Sequence, residues 1–217
     1  MAARQDARPW VPDEPSPDTL RNALQQCRGC ELFEDATQAV PGRGTFDARL
    51  VLLGEQPGDQ EDKQGQPFVG PAGRVLVDAL DEAGVDRTDV YVTNTVKHFR
   101  WKSGGGKRRL HQSPGRAHVE ACRPWLDAEL SLLRPVGAVL LGGTAGKALY
   151  GTTFRVGEAR GVLRDWPEKY PVAAPPGWVL ATIHPSAVLR AEPDDRKTMY
   201  DGLVTDLRLA AETLRAS

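Results

Sequence analysis

RLVLLGEQPG, residues 49–58, decides how the chain is read. An almost unbroken apolar run breaks into a turn that carries two glycines, an acid, an amide and a proline. A short apolar run bounded by turn residues predicts a strand buried on both faces, the kind found in parallel sheets. GEQPG is then either plain turn punctuation or the loop at a strand's carboxyl end, where open α/β sheets bind their ligands. Three further runs repeat the pattern: VYVTN (90–94), GAVLLG (137–142) and WVLATIH (178–184). Helical periodicity separates them, in PAGRVLVDALDEAG (71–84) and RAHVEACRPWLDAELSLL (116–133), and follows the last in DDRKTMYDGLVTDLRLAAETL (194–214). Asp18 offers an N-cap for an earlier helix reaching about Gln26. This alternation predicts a three-layer α/β/α fold with a central four-stranded parallel sheet. GEQPG, Asn94 and HPS (184–186) then meet at one sheet edge.

The chain has 217 residues and a net charge of −1, enough length for one full core without disulfide staples. Residues 1–16 read as a proline-bearing mobile arm or extended strap, and residues 17–217 as a single domain. No run nears the ~20 apolar residues that span a bilayer, and the N-terminus lacks an apolar signal core. A cytoplasmic monomer without membrane contact is the expectation. Three cysteines suit a ligand or thiol role better than a disulfide framework. Charge is segregated: Lys97 to Arg123 holds eight Lys or Arg against Glu120 alone, a local +7 beside −8 elsewhere. Such a patch marks an anionic partner.

GGGKRRLHQSPG (104–115) adds three glycines, three cations and a histidine to that patch. A cation run is ordinarily a solvated face, Asn94 could be a cap, and His184 before Pro185 could be a satisfied core imidazole; it is their convergence on one edge that favours a site. LGGTAGKA (141–148) superficially resembles a phosphate loop. Its first glycine stands one residue too close to Gly146-Lys147, and Ala148 replaces the magnesium-binding Ser or Thr. Cys27 and Cys30 have metal-ligand spacing and precede the first strand, which disfavours a thioredoxin-type pair. Cys122 adds a third thiol and His98 a candidate fourth donor. A Cys3His set suits zinc or an iron-sulfur cluster, and Cys122 could instead be a plain buried helical cysteine.

Taken together, GEQPGDQEDKQGQPFVGPAG, VTNTVKHFRW, the Cys27/Cys30/Cys122 set, GGTAGKAL and HPSAVLR resemble the iron-sulfur uracil-DNA glycosylases of the family 4 type, from about residue 20 to the C-terminus. Within that group, Gln56 and the inserted KRRLH loop resemble the UdgX branch, whose members stay covalently joined to uracil-containing DNA through the loop histidine. The resemblance implies a 4Fe-4S cluster on Cys27, Cys30, His98 and Cys122, with His98 departing from the family's third cysteine. It further implies that Phe68 stacks on uracil and that the Asn94 amide matches uracil O4 and N3–H.

Several expectations follow from this resemblance. His184 donates to O2 of the departing base. His111 replaces the attacking water of a hydrolase and bonds to C1', with Glu55 as its proton acceptor. Gln56 and Asp59 shape the pocket near the sugar, while Lys107, Arg108 and Arg109 grip phosphate, Arg109 also fixing the loop internally. Val188, Leu189 or Arg190 fill the space of the flipped base. Uracil-bearing, preferably single-stranded, DNA is the partner. The alternatives are a conventional turnover glycosylase and a non-catalytic DNA-binding or redox-sensing module.

Overall fold

The computed structural model describes residues 6–106 and 108–217. The arm expected over residues 1–16 lies partly outside this range, and the phosphate contact expected of Lys107 lies wholly outside it.

Seven strands are present among the described residues: β1 (Leu50–Gly54), β2 (Val90–Asn94), β3 (Trp101–Ser103), β4 (Arg109–His111), β5 (Gly137–Leu141), β6 (Leu163–Arg164) and β7 (Trp178–Thr182). The helices are α1 (Pro17–Leu24), α2 (Leu32–Asp35), α3 (Asp59–Gln64), α4 (Pro71–Ala83), α5 (Arg116–Leu133), α6 (Gly143–Tyr150), α7 (Val156–Ala159), α8 (Pro185–Arg190) and α9 (Pro193–Ala216). The main sheet runs β2-β1-β5-β7-β6, with the first four strands parallel. β6 pairs antiparallel with β7 and makes this a five-stranded sheet, one strand more than the sequence predicts. With two residues, both exposed, β6 leaves no apolar run to read.

Strand pleating divides the core. Leu50, Leu52, Val139, Leu141 and Leu180 face a layer formed by α4, α8 and α9, while Val51, Leu53, Ala138, Leu140 and Val179 face α5 and α6. Both faces are covered, which is why each strand reads as continuous Val and Leu instead of alternating. Each buried Val or Leu among them contributes about 1.5–3 kcal/mol of transfer free energy. A third apolar group lies outside the sheet, where Ala7, Leu20, Leu24, Leu32 and all three cysteines pack against Val96 and Trp125. Ala7, Trp10 and Val11 belong to it: Ala7 is buried and its N–H donates to Ala121 O at 2.9 Å.

Two local readings change. The first helix is capped by Ser16, not Asp18, in a reciprocal box with Thr19. Pro17 explains the shift, since its fixed φ and missing N–H suit the first helical position. The segment expected as the KRRLH loop contains a strand, Arg109–His111. β3 and β4 form an antiparallel hairpin, Trp101 opposite His111 and Ser103 opposite Arg109. Gly105 and Gly106 turn it with φ of 93° and 56°, open to glycine at little cost. Strands of three residues are too short to leave a period-2 signature.

Candidate active site

All four parallel strands deliver residues to one cavity of about 630 Å³. Glu55 and Gln56 follow β1, Asn94 ends β2, Leu141 ends β5, and His184 lies two residues past β7. The walls are completed by Phe68, by His111 from β4, and by Ser186 and Arg190 from α8. This is the carboxyl-end crevice that the strand pattern predicts.

The floor is built around a missing side chain. A Cβ on Gly54 would stand 2.3 Å from Asn94 Oδ1 and 2.8 Å from Phe68 Cζ, so only glycine lets both approach. Phe68 itself has φ of 54°, a conformation that costs a non-glycine residue on the order of 1–3 kcal/mol and recurs at ligand clamps. Its ring stacks on His184, with centroids 6.0 Å apart and planes at 30°. Asn94 Oδ1 is buried and finds no hydrogen-bond partner among the described residues. A buried acceptor of this kind discriminates strongly in favour of a ligand N–H.

His184 is fixed as one tautomer. The Ser186 backbone N–H donates to its Nδ1 at 3.2 Å, so Nδ1 carries no proton. Arg190 Nη1 donates to Ser186 Oγ at 2.9 Å, which leaves the hydroxyl proton for Nδ1, 2.7 Å away. The neutral ring therefore carries its proton on Nε2, free for a ligand. Burial, which disfavours the charged ring, pushes its pKa down to about 4 despite the attraction of Glu55.

His111 stands on the rim with its side chain half exposed, its Nε2 3.6 Å from Glu55 Oε1. That Oε1 is buried without a hydrogen-bond partner among the described residues, while Oε2 accepts from Thr144 Oγ1 at 2.5 Å. Burial, aided by Arg190, lowers the His111 pKa against the opposing pull of Glu55. A neutral imidazole thus faces an anchored carboxylate across a short gap.

The remaining expected residues act on the hairpin. Gln56 Nε2 donates to Arg100 O (3.1 Å) and Gln112 O (2.9 Å), and its Oε1 accepts from Arg100 N (3.0 Å), tying together the two ends of the hairpin. Arg109 pairs with Asp59 Oδ1 and Asp62 Oδ2, each at 2.6 Å, and lies over the Phe99 and Trp101 rings. Asp59 and Arg109 hold the hairpin from outside the cavity wall. The cation count of the segment also overstates its open charge. Lys97 is fully buried against Glu129, Arg116 pairs with Glu120, and Arg123 with Asp127, which leaves Lys102 and Arg108 exposed on the hairpin among the described residues.

Sequence reasoning missed Glu61, which accepts from Gly58 N at 3.1 Å and Gly70 N at 2.8 Å and so staples the GEQPG loop to the one carrying Phe68. Its signal was present, since an acid three residues after Gly58 is a capping-box spacing. Thr144 and Ser186, the supports of Glu55 and His184, carry no signal of their own.

The thiol-rich pocket lies away from this cavity. Cys27, Cys30 and Cys122 are unpaired and belong to one apolar group, and Cys27 and His98 line a second cavity of about 150 Å³. Burial raises the Cys30 thiol to about 11 and Cys122 to about 12, with the neighbouring cysteines adding to the rise, and burial lowers His98 to about 4. Trp125 Nε1 donates to Cys27 Sγ at 3.2 Å and Lys97 N to Cys122 Sγ at 3.3 Å. No three His, Cys, Asp or Glu among the described residues stand in a metal-holding arrangement. No helix among them is long and apolar enough to cross a membrane.

Comparison with known proteins agrees with this fold. The family profile for the uracil DNA glycosylase superfamily matches residues 41–208. The type-4 uracil-DNA glycosylase of Pyrobaculum aerophilum is 35% identical over 171 residues, covering 79% of this chain and 83% of the relative. That of Thermotoga maritima is 34% identical over 174 residues, with 80% and 83% covered, and that of Saccharolobus solfataricus is 30% identical over 203 residues, with 91% and 86% covered. A four-strand crevice holding Asn94, Phe68 and His184, matched along most of its length to type-4 sequences, makes this chain a member of the uracil-DNA glycosylase superfamily, of the family 4-like kind.

Proposed function

We propose that the protein is a uracil-DNA glycosylase of the UdgX kind, which excises uracil and stays bonded to the deoxyribose C1' through His111. The observation that carries the reading is the His111 ring with Nε2 3.6 Å from Glu55 Oε1, on the rim of the cavity that holds Asn94, Phe68 and His184. A glycosylase must first extrude the nucleotide, at a cost of a few kcal/mol that single-stranded DNA largely avoids. Single-stranded substrate is therefore preferred. Phe68 stacks on the ring, the unsatisfied Asn94 Oδ1 accepts uracil N3–H, and the amide N–H donates to O4. Cytosine carries no proton on N3 and would leave Oδ1 unpaired.

Bond breaking sends the C1'–N1 electron pair into uracil. His184 Nε2–H donates to O2 as this charge grows, a preorganised donor of the type worth two to three orders of magnitude in rate. Glu55 offsets the positive charge that develops on the sugar. A lone pair of the neutral His111 imidazole then forms the bond to C1', and the imidazolium gives up its remaining N–H proton to Glu55 or water. An N-alkylated neutral imidazole is a poor leaving group, so the bond persists. Lys102 and Arg108 support phosphate binding from the exposed hairpin, and Leu189, 41% exposed on α8, suits the gap left by the base. Binding through such cations weakens with salt.

The donor chemistry of Cys27, Cys30, Cys122 and His98 fits a 4Fe-4S cluster: three thiols with no disulfide, two already accepting N–H bonds, beside an imidazole held neutral. Bound there, the cluster supplies a structural cross-link between the N-terminal helices and α5.

Mixing the protein with uracil-bearing single-stranded DNA and running a denaturing gel tests the proposal. A heat- and detergent-resistant band, lost in His111→Ser with excision retained, is the expected outcome. Wild-type protein that yields only free uracil and an abasic strand supports ordinary turnover, and a capture band that survives His111→Ser removes His111 from the reaction.

A further inference from the structure

Lys97 has no exposed side-chain surface, and its ammonium bonds to the main chain of Asn94, which lines the cavity. All three of its protons are used: Nζ donates to Glu129 Oε2 at 2.7 Å, to Thr93 Oγ1 at 2.6 Å and to Asn94 main-chain O at 2.9 Å. Glu129, also buried, accepts in addition from Thr93 Oγ1 at 2.9 Å, Gly42 N at 3.3 Å and Tyr91 OH at 3.5 Å. A fully desolvated ion pair is a poor way to gain stability, since apolar residues of similar volume often do as well or better. Its position suggests another use. The same residue's main-chain N–H donates to Cys122 Sγ, so Lys97 joins the thiol-rich group to the end of β2 in one residue.

On the opposite side Asn94 is confined by Gly54, where a Cβ would stand 2.3 Å from Oδ1. Thr95 N–H donates to Gly54 O at 3.0 Å and Thr95 Oγ1 to Glu55 O at 2.7 Å, fixing the residue that follows. Lys97 supplies the remaining constraint, on the carbonyl of Asn94 itself.

We propose that the Lys97–Glu129 pair is a positioning device for Asn94: it fixes the peptide that sets the amide's angle and thereby determines the affinity for uracil. The inference rests on the reading of Asn94 as the uracil-recognising residue and adds what holds that residue in place. Two features follow from the geometry. Lys97→Met with Glu129→Gln removes the anchor and its charge while leaving an amide oxygen to accept from Gly42 N and Tyr91 OH, whereas Thr93→Val removes a shared hydroxyl and keeps the Lys97 bond to Asn94.

The test measures the affinity of free uracil and of thymine-containing single-stranded DNA for the wild type, Lys97→Met/Glu129→Gln, Thr93→Val and Asn94→Ala, with thermal unfolding of each. The double variant should fold, bind thymine-containing DNA as the wild type does, and lose about tenfold or more in uracil affinity. Thr93→Val should lose stability and keep uracil affinity within about threefold. Uracil affinity that follows unfolding temperature across both variants, or that is unchanged in a folded double variant while Asn94→Ala loses it, overturns the positioning role. Unchanged uracil affinity in Asn94→Ala instead overturns the underlying reading of Asn94.

Discussion

The base cavity and the β3–β4 hairpin solve opposite problems. Asn94, Phe68 and His184 sit on strand ends or the turns that follow them, confined by Gly54, stapled by Glu61 and fixed in one tautomer by Ser186. His111 sits on a three-residue strand with half of its side chain in solvent, and reaches the cavity only because Gln56 and Arg109 hold the hairpin against the body. In the proposed mechanism recognition falls to the sheet's strand ends and capture to a hairpin clamped to their rim. Separate support means that the two activities can be broken separately.

Removing the buried reader should have the largest effect on both. Asn94→Ala is expected to slow uracil excision by about 10²–10³-fold, and capture by the same factor because capture follows bond breaking. Single-turnover gels with radiolabelled strand measure both; capture that outlasted excision would detach the hairpin chemistry from the pocket. Arg109→Ala cuts one side only. It frees the hairpin and leaves the fully buried Asp62 without its cation, so capture should fall by about tenfold or more while excision changes by less than about threefold. An equal loss of the two would mean that the hairpin also builds the pocket.

Acid should separate the regions most gently. Both imidazoles have pKa values below the ordinary imidazole range, so both are neutral at pH 7; acid removes the lone pair with which His111 would attack and the Nδ1 acceptor through which Ser186 orients His184. Capture should be level above neutrality and decline as His111 protonates. Excision by His111→Ser should persist until the pH nears 4, where His184 gains its second proton. Initial rates across pH 4–8 check the order of the two declines, and coincident profiles would assign both to one group.

The contrast also explains what could be read from the chain. Leu50–Gly54, Val90–Asn94, Gly137–Leu141 and Trp178–Thr182 are buried on both faces, so composition alone marks them, and the carboxyl-end rule then brings Glu55, Asn94 and His184 to one crevice. Hairpin residues left no such trace. Arg109 and Lys97 look alike in a basic segment, yet both are turned inward to carboxylates 47 and 32 positions distant in the chain. Asp59 looked like part of a pocket for the same reason: adjacency to GEQPG places it near the cavity in sequence, and its bond to Arg109 directs it elsewhere. Long-range ion pairing has no period, which is why the local +7 count overstated the charge offered to phosphate.

The central claim is a bond between His111 and deoxyribose. Digesting the protein–DNA product with nuclease and trypsin and sequencing the peptides by mass spectrometry tests it most directly. The account predicts a deoxyribose-derived mass on the His111 imidazole, with free uracil released in equal amount. An unmodified His111 peptide beside an adduct on another residue, or beside an abasic strand with no adduct, would contradict it.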